Sequence, residues 1–213
     1  MTRDATARLF IAVDPPAEVR EGLLAWARAA TARLPIRRGR GALASMRLLE
    51  PEALHVTLCF LGGRPVGEIA EIAAVLSGCA TRVGELSLGA PLWLPPRRPR
   101  ALAVEVHDRD GGLTRLHEGL RGALADATGW QAERRRFKAH ITVARMRGRG
   151  APSRPAGPAR LRPGGAQAEE PVLPATPSLS FRPEAIVLYR SWLSSAGASY
   201  QPLATCDLLA AER

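Results

Sequence analysis

The sequence predicts one domain of mixed helices and strands, built from two similar halves. The order strand, helix, strand occurs twice along the chain, and each second strand carries a histidine two residues before a threonine. The chain has 213 residues, of which 46% are hydrophobic, enough for a single substantial core. We therefore expect residues 1–213 to form one domain with two lobes related by an approximate twofold axis.

Each element of the first half is predicted from the spacing of its apolar residues and from the residues that end it. Apolar runs that stop at proline or glycine predict strands, and apolar residues at spacings of three and four predict helices. In chain order these are a strand at 8–14, a helix at about 16–33, a basic loop at 35–47, a strand at 53–62 and a helix around 69–76.

The second half repeats this order. Its elements are a strand at 84–94, a proline- and arginine-rich loop at 95–100, a strand at 101–106, a helix around 113–124 and a strand at 137–145. The segment 147–178 is rich in proline, glycine and arginine, which predicts an extended loop. One or two strands over 179–193 and a final segment over 198–209 complete the fold.

The two strands ALHVTLCFLG and FKAHITVAR carry the same polar pair in an otherwise apolar setting. Residues i and i+2 of a strand share a face, so His55 and Thr57 point the same way, as do His140 and Thr142. An imidazole buried without a partner costs free energy. The polar faces therefore need a cleft, and two facing lobes would bring both pairs into the same one.

Strict alternation also makes predictions for the residues after Thr57. It predicts that Cys59 shares the face of His55, whereas Phe60 turns toward the core. A cysteine beside a histidine raises the alternative of a zinc site or a cysteine nucleophile. Zinc needs about three protein ligands, and no further group recurs at ligand spacing. We therefore expect no metal, and three reduced, mostly buried cysteines.

Two imidazoles and two hydroxyls around one centre suit the cleavage of a phosphodiester. Histidine acts as acid or base near neutral pH, so one imidazole can take a proton from water while the other protonates a leaving oxygen. Threonine hydroxyls can donate hydrogen bonds to the nonbridging phosphate oxygens. The pattern predicts this chemistry without a metal or other cofactor.

The net charge of +10 has two interpretations. It fits a polyanionic partner such as RNA. It also fits a composition bias, because Lys138 is the only lysine among the cationic residues. Alternation places Lys138 on the face of His140, while Arg134–Arg136 and the arginines of the loop at 35–47 are expected to form basic rims.

The location and assembly of the protein are predicted from what the sequence lacks. No apolar run approaches the length of a membrane span, and the first residues lack the features of a signal peptide. We expect a cytoplasmic monomer that does not contact membranes.

The paired motifs resemble those of the two-histidine (2H) phosphoesterase superfamily, and within it the RNA 2′,3′-cyclic phosphodiesterases, also called 2′-5′ RNA ligases. The resemblance covers most of the chain through five ordered blocks: RLFIAVDPP, LHVTLCFLGG, RRPRALAVEV, FKAHITVAR and LYRSWLSSAGASYQPL. It implies an α+β fold of two pseudo-twofold-related lobes. Each lobe would have an antiparallel sheet and outer helices, with the active cleft between the lobes.

The resemblance also implies residue roles and a reaction. The roles are catalytic for His55 and His140, phosphate-binding for Thr57, Thr142 and Arg145, and base-stacking for Phe10. The implied reaction opens the 2′,3′-cyclic phosphate end of an RNA or nucleotide to a 2′-phosphomonoester. We expect His140 to activate water and His55 to protonate the leaving 3′ oxygen, although the sequence does not decide between the two orders.

Two alternatives remain open at this point. The same fold could act on another phosphodiester, such as a 2′-5′ linkage or a cyclic nucleotide derivative. From a different class, the chain could be a noncatalytic module that binds RNA ends, although binding alone does not require paired acid–base groups. Two features depart from the family pattern: Ala139 stands where the family usually has proline, and the segment 147–178 is long.

Overall fold

The structure, a computed structural model, describes residues 5–33, 46–96, 99–132, 136–146, 173–194 and 197–209. The predicted loop at 147–178 lies outside these ranges except for residues 173–178. Most of the basic segment 35–47 also lies outside them, as do Arg134 and Arg135.

The described residues form nine strands and three α-helices. They are β1 (Thr6–Val13), α1 (Ala17–Ala32), β2 (Met46–Leu48), β3 (Val56–Pro65), α2 (Ile69–Cys79), β4 (Leu86–Leu94), β5 (Ala101–Asp108), α3 (Gly112–Thr128), β6 (His140–Met146), β7 (Ser180–Phe181), β8 (Ala185–Ser194) and β9 (Gly197–Asp207). The predicted helices and long strands are confirmed. Strand β2 was not predicted, because three residues are too few for a periodic signal.

All strands belong to one antiparallel sheet in the order β7-β4-β5-β6-β3-β1-β8-β9, with β2 paired to β6. The order is symmetric about its centre. Strands β1 and β3 with helix α1 between them correspond to β5 and β6 with helix α3. This arrangement confirms the α+β class and the two related lobes. The sheets of the two lobes are joined edge to edge through β3 and β6, so they form one continuous sheet.

Alternate residues of each central strand form the core. Ala7, Leu9, Ile11 and Val13 of β1 are nearly or fully buried, and they belong to the same apolar cluster as residues from all three helices. Val56 and Ile141, each of which lies between a histidine and its threonine, belong to the same cluster. The remaining alternate positions point to the other side, which we call the site face. None of the described helices is long and apolar enough to cross a membrane.

Candidate active site

The site is centred on the contact between the two lobes. Val56 of β3 pairs with Ile141 of β6, and both side chains are fully buried in the core. Because side chains alternate along a strand, the residues on either side of this pair point to the site face. Neighbouring strands lie about 5 Å apart and residues i and i+2 lie about 7 Å apart.

Four of the predicted site residues therefore share one small area. They are His55, Thr57, His140 and Thr142, and each of these side chains is partly buried. The two His-x-Thr pairs are far apart in the sequence, but the contact between the lobes brings them to the same face of the sheet. The arrangement can offer two imidazoles and two hydroxyls to one ligand.

The electrostatics of His55 link the two lobes. The pKa of His55 is lowered to about 4. Burial is the largest cause, electrostatic interactions with Arg145 and His140 add to it, and a backbone hydrogen bond with Ala53 opposes the shift. Arg145 and His140 belong to β6, in the other lobe. Their influence means that cationic groups of the second lobe lie close to the imidazole of the first. At neutral pH the His55 ring is uncharged.

Both imidazoles are held by the backbone two residues earlier. The Nδ1 atom of His140 lies 2.8 Å from the carbonyl oxygen of Lys138. A carbonyl oxygen can only accept, so Nδ1 carries the hydrogen and donates it. In neutral His140 the Nε2 atom is then left with its lone pair. His55 has the equivalent backbone hydrogen bond with Ala53. The two rings are therefore oriented by the same kind of local hydrogen bond to the backbone.

Strand β3 contains a register shift directly after its threonine. Thr57 pairs with Ala12 of β1, but the next residue of β1, Ile11, pairs with Cys59. Leu58 is thus an extra residue, as in a β-bulge. Leu58 and Cys59 are both buried, with 5% and 2% of their surface exposed.

Strand β6 contains the same shift at the equivalent place. Thr142 pairs with Ala103 of β5, while Leu102 pairs with Ala144. Val143 is the extra residue here, and both Val143 and Ala144 are fully buried. The two lobes therefore share the bulge as well as the His-x-Thr pair.

The bulges reverse the alternation and correct two predictions. Phe60 pairs with Phe10, whose ring contacts His55, so Phe60 lies on the site face and not in the core. Cys59 lies in the core and does not share the face of His55. Directly opposite residues of an antiparallel pair share a face. Thr142 pairs with Ala103 and Arg145 pairs with Ala101. Ala101 and Ala103 are two residues apart on β5 and share a face, so Arg145 lies on the site face with Thr142.

The position of Cys59 weakens the zinc and cysteine-nucleophile alternatives. Burial raises the pKa of its thiol to about 12, so the group stays protonated at neutral pH, whereas the nucleophile or metal ligand is the thiolate. Within the described ranges no group of three or more histidine, cysteine or acidic side chains is placed to hold a metal ion.

Aromatic rings line the His55 side of the site. The Phe10 ring centroid lies 4.8 Å from that of His55 and 5.1 Å from that of Tyr189. The Tyr200 ring is nearly perpendicular to the His55 ring, with 5.3 Å between the two ring centroids. Phe10 is only 4% exposed, so it offers a base little surface, and its stacking role stays a prediction. The sequence did not indicate that Tyr189 and Tyr200 pack around His55.

A polar network lies behind this aromatic wall. The hydroxyl of Tyr189 donates a hydrogen bond to Asp14 Oδ2 over 2.6 Å, and Arg20 Nη2 lies 3.5 Å from the same oxygen. Burial raises the pKa of Asp14, and the hydrogen bond and the arginine oppose this shift. The network fixes Tyr189, which stacks on Phe10.

The His140 side has a different, polar neighbour. Glu105 of β5 pairs with His140, and it lines a cavity of about 430 Å³ together with Arg136, Lys138 and His107. Lys138 precedes strand β6, so its expected place on the face of His140 stays a prediction. Aromatic rings therefore surround His55, whereas His140 is paired with an acidic residue that lines a cavity.

Sequence comparison relates the chain to curated enzymes. It is 31% identical over 141 residues to the RNA 2′,3′-cyclic phosphodiesterase of Archaeoglobus fulgidus, covering 66% of this chain and 73% of that protein. The proteins of the same name from Thermus thermophilus and Escherichia coli K12 are 32% and 33% identical, covering 66% and 65% of this chain and 69% and 71% of theirs. No family model matches the chain.

Solved structures share the fold over nearly the whole length. A crystal structure of a protein from Thermus thermophilus is 28% identical with a TM-score of 0.66, covering 94% of this chain and 97% of that one. Another, described as a phosphoesterase, is 25% identical with a TM-score of 0.70 and coverage of 96% and 99%. Apo LigT of Escherichia coli is 25% identical with a TM-score of 0.68 and coverage of 96% and 98%.

The antiparallel α+β sheet of this chain is the fold of these solved phosphoesterase and LigT structures, which places the chain among the two-histidine phosphoesterases. Within that class, the chain belongs to the RNA 2′,3′-cyclic phosphodiesterase family. The family and the fold that the sequence blocks predicted are thereby confirmed.

Proposed function

We propose that this protein hydrolyses the 2′,3′-cyclic phosphate ends of RNA or of nucleotides to 2′-phosphomonoesters. The observation that carries the proposal is the shared face of His55, Thr57, His140 and Thr142 around the Val56–Ile141 pair. The names of the curated relatives support the same substrate.

The proposed reaction is a displacement at phosphorus. One imidazole accepts a proton from water as the water oxygen bonds to phosphorus, and the other imidazole gives its proton to the departing 3′ oxygen as the bond between that oxygen and phosphorus breaks. Thr57 and Thr142 donate hydrogen bonds to the nonbridging oxygens. Arg145, exposed on the same face, adds a positive charge where negative charge develops.

We assign water activation to His55 and protonation of the leaving group to His140. The pKa of His55 is about 4, so this ring is neutral and able to accept a proton over the whole range above that pH. When His140 is protonated on both nitrogens, Nδ1 stays bonded to the Lys138 carbonyl and Nε2 carries the proton that is given to the leaving oxygen. This order is the reverse of the one expected from the sequence.

We propose that no metal takes part. Thr57, Thr142 and Arg145 can supply the hydrogen bonds and charge that a metal would otherwise offer the phosphate. Full activity in EDTA is the expected result. Activity that disappears in EDTA and returns with Zn²⁺ contradicts the proposal.

Substrate choice tests the proposed function against its alternatives. An oligonucleotide with a 2′,3′-cyclic phosphate end should be converted to a 2′-phosphate end, while a matched 2′-5′-linked oligonucleotide should remain intact. Cleavage of the 2′-5′ linkage alone favours the other phosphodiester. Tight binding of the cyclic end without turnover favours the noncatalytic module.

We also propose a monomer that folds as one domain. Both His-x-Thr pairs come from one chain, and the sheet continues through both lobes, so a second copy is not needed to complete the pairs. Size-exclusion chromatography with light scattering tests this, and a stable dimer contradicts it. The cytoplasmic location stays a prediction.

A further inference from the structure

Arg47 is a second arginine on the site face of the second lobe. It is the middle residue of the short strand β2 and pairs with Arg145 of β6. Directly opposite residues of an antiparallel pair share a face, so Arg47 lies on the site face beside Arg145. Neighbouring strands are about 5 Å apart, which places the backbone of Arg47 one strand spacing away from that of Arg145.

The guanidinium of Arg47 rests on the first lobe. Gly197 begins β9 and pairs with Ser194, the last residue of β8. A Cβ atom at Gly197 would overlap this guanidinium, whose carbon would lie only 2.6 Å from it, so glycine leaves the room that the contact needs. The β8–β9 hairpin of one lobe therefore holds an arginine of the other lobe on the site face.

Arg47 and Arg145 are two like charges placed side by side. Like charges directly opposite each other in a sheet are destabilising. In the part of the chain that the structure describes, no acidic side chain forms an ion pair with either of them. Both guanidinium groups are therefore available to a ligand that carries more than one negative charge.

The two arginines are placed differently with respect to the reacting centre. The charge of Arg145 lowers the pKa of His55, and Arg47 is not among the described groups that do so. Arg47 is instead held against Gly197 at the hairpin. Arg145 is thus placed for the reacting phosphate, and Arg47 for a second anion beyond it.

We propose that Arg47 binds the phosphodiester that joins the cyclic-phosphate nucleotide to the nucleotide before it. This role rests on the proposed function and specifies the substrate as an RNA end and not as a free nucleotide. The cavity beside His140 suits this phosphodiester less well, because the acidic residues Glu105 and Asp108 line it together with cations. A guanidinium that is already held in place loses less side-chain entropy when it binds a phosphate.

The test compares two dinucleotides that end in a 2′,3′-cyclic phosphate and differ in one charge. One joins its two cytidines through an ordinary phosphodiester, and the other through a neutral methylphosphonate. The wild type should favour the charged substrate in kcat/KM by about 10-fold, the lower end of the range for a hydrogen bond to a charged group, because Arg47 is partly exposed. Arg47→Ala should remove this preference through KM, with a loss only on the charged substrate.

Two further variants separate the position of the charge from its presence. Gly197→Ala displaces the guanidinium of Arg47, so it should weaken the preference as well, and the rate on the neutral substrate reports whether the variant is folded. Arg136→Ala is the matched control, because Arg136 is an exposed arginine at the cavity beside His140, and it should keep the full preference. In Arg47→Ala the dependence of log KM on log salt should also become shallower by about 0.7, the change for one contact with a single-stranded phosphate.

Three results overturn this role while leaving the proposed function intact. They are the absence of a charge preference in the wild type, a preference that survives in Arg47→Ala, and an equal loss on both dinucleotides in that variant. If the wild type hydrolyses neither dinucleotide nor cytidine 2′,3′-cyclic phosphate, the proposed function itself fails. The role of Arg47 is then judged by calorimetric binding of the same two dinucleotides. Arg47→Ala must weaken the binding of the charged one alone, and unchanged binding refutes the role.

Discussion

Strands β3 and β6 occupy equivalent places in the two lobes, yet their surroundings have diverged. Each carries His-x-Thr, a ring held by the backbone two residues earlier, and a bulge after the threonine. His55 packs among aromatic rings, whereas His140 pairs with Glu105 beside a polar cavity. The two strands thus supply imidazoles at equivalent places in the sheet, and the side chains around the two imidazoles differ.

The largest expected effect comes from removing either member of the duplicated pair. His55→Ala and His140→Ala should each lower kcat on a 2′,3′-cyclic phosphate by about 10²- to 10⁴-fold, the usual contribution of a positioned acid or base. His107→Ala serves as control, because His107 is exposed and has no partner threonine. If either imidazole of the pair can be removed with a loss no larger than that of the control, the equivalence of the two strands has no functional meaning.

The second largest effect on the rate is expected at Arg145, which occupies the position in the second lobe that Phe60 occupies in the first. Arg145→Ala should lower kcat/KM by about 10- to 150-fold, the range for a hydrogen bond to a charged group, on substrates with and without a base. It should also raise the pKa of His55, because a nearby positive charge disfavours imidazolium. The acid limb of the pH profile of kcat/KM then moves to higher pH.

Arg145→Lys is the matched variant for this prediction. It keeps the charge near His55, so the acid limb should stay near the wild-type position even where the rate falls. An acid limb that does not move in Arg145→Ala contradicts either the proximity of the two groups or the role of His55 as the base.

The low pKa of His55 also makes stability depend on pH. The pKa falls from about 6.5 in the unfolded chain to about 4 in the folded protein, so between these values the unfolded chain binds more protons. The stabilising contribution is complete above pH 6.5 and is lost as the pH falls toward 4. At most about 3 kcal/mol is involved.

Urea unfolding at pH 7 and at pH 4.5 measures this contribution. His55→Gln removes the titrating group, so the difference between the two pH values should shrink in that variant by up to the same amount. An identical pH dependence in both proteins indicates that His55 is not held neutral by the fold.

The smallest expected effect lies behind the aromatic wall of the first lobe. Tyr189→Phe keeps the stacking on Phe10 but removes the hydrogen bond to Asp14, which should cost about 1–2 kcal/mol of unfolding free energy. Thermal or urea unfolding measures it. Because the ring next to Phe10 is retained, the rate on a cyclic phosphate should change little. A loss of rate as large as that of a histidine variant would instead indicate that the Tyr189 hydroxyl takes part in the reaction.

The sequence predicted most of what regular alternation determines. His55 and Thr57 share a face with His140 and Thr142 because the residues between them are buried apolar positions, a pattern visible in the sequence. The sequence did not predict the bulges, because an extra buried residue in TLCF or in TVAR cannot be told from a residue of a regular strand by its type alone. For that reason Cys59 and Phe60 were assigned to the wrong faces.

Other features depend on tertiary contacts that no local pattern carries. Whether Phe10 is exposed depends on Tyr189 and Tyr200, which reach it from strands far along the chain. The pKa of His55 depends in part on Arg145 in the other lobe. Arg145 itself was assigned to phosphate through family resemblance, and its place on the site face follows from the bulge.

The central claim is that the two imidazoles act together on one phosphorus atom, and a double-variant comparison tests it most directly. The rate of opening of cytidine 2′,3′-cyclic phosphate is measured for His55→Ala, His140→Ala and the protein with both changes. Groups that act as a unit give strongly non-additive losses, so the doubly changed protein should be about as slow as the slower single variant. Losses that simply multiply would mean that the two histidines act independently and would contradict the account.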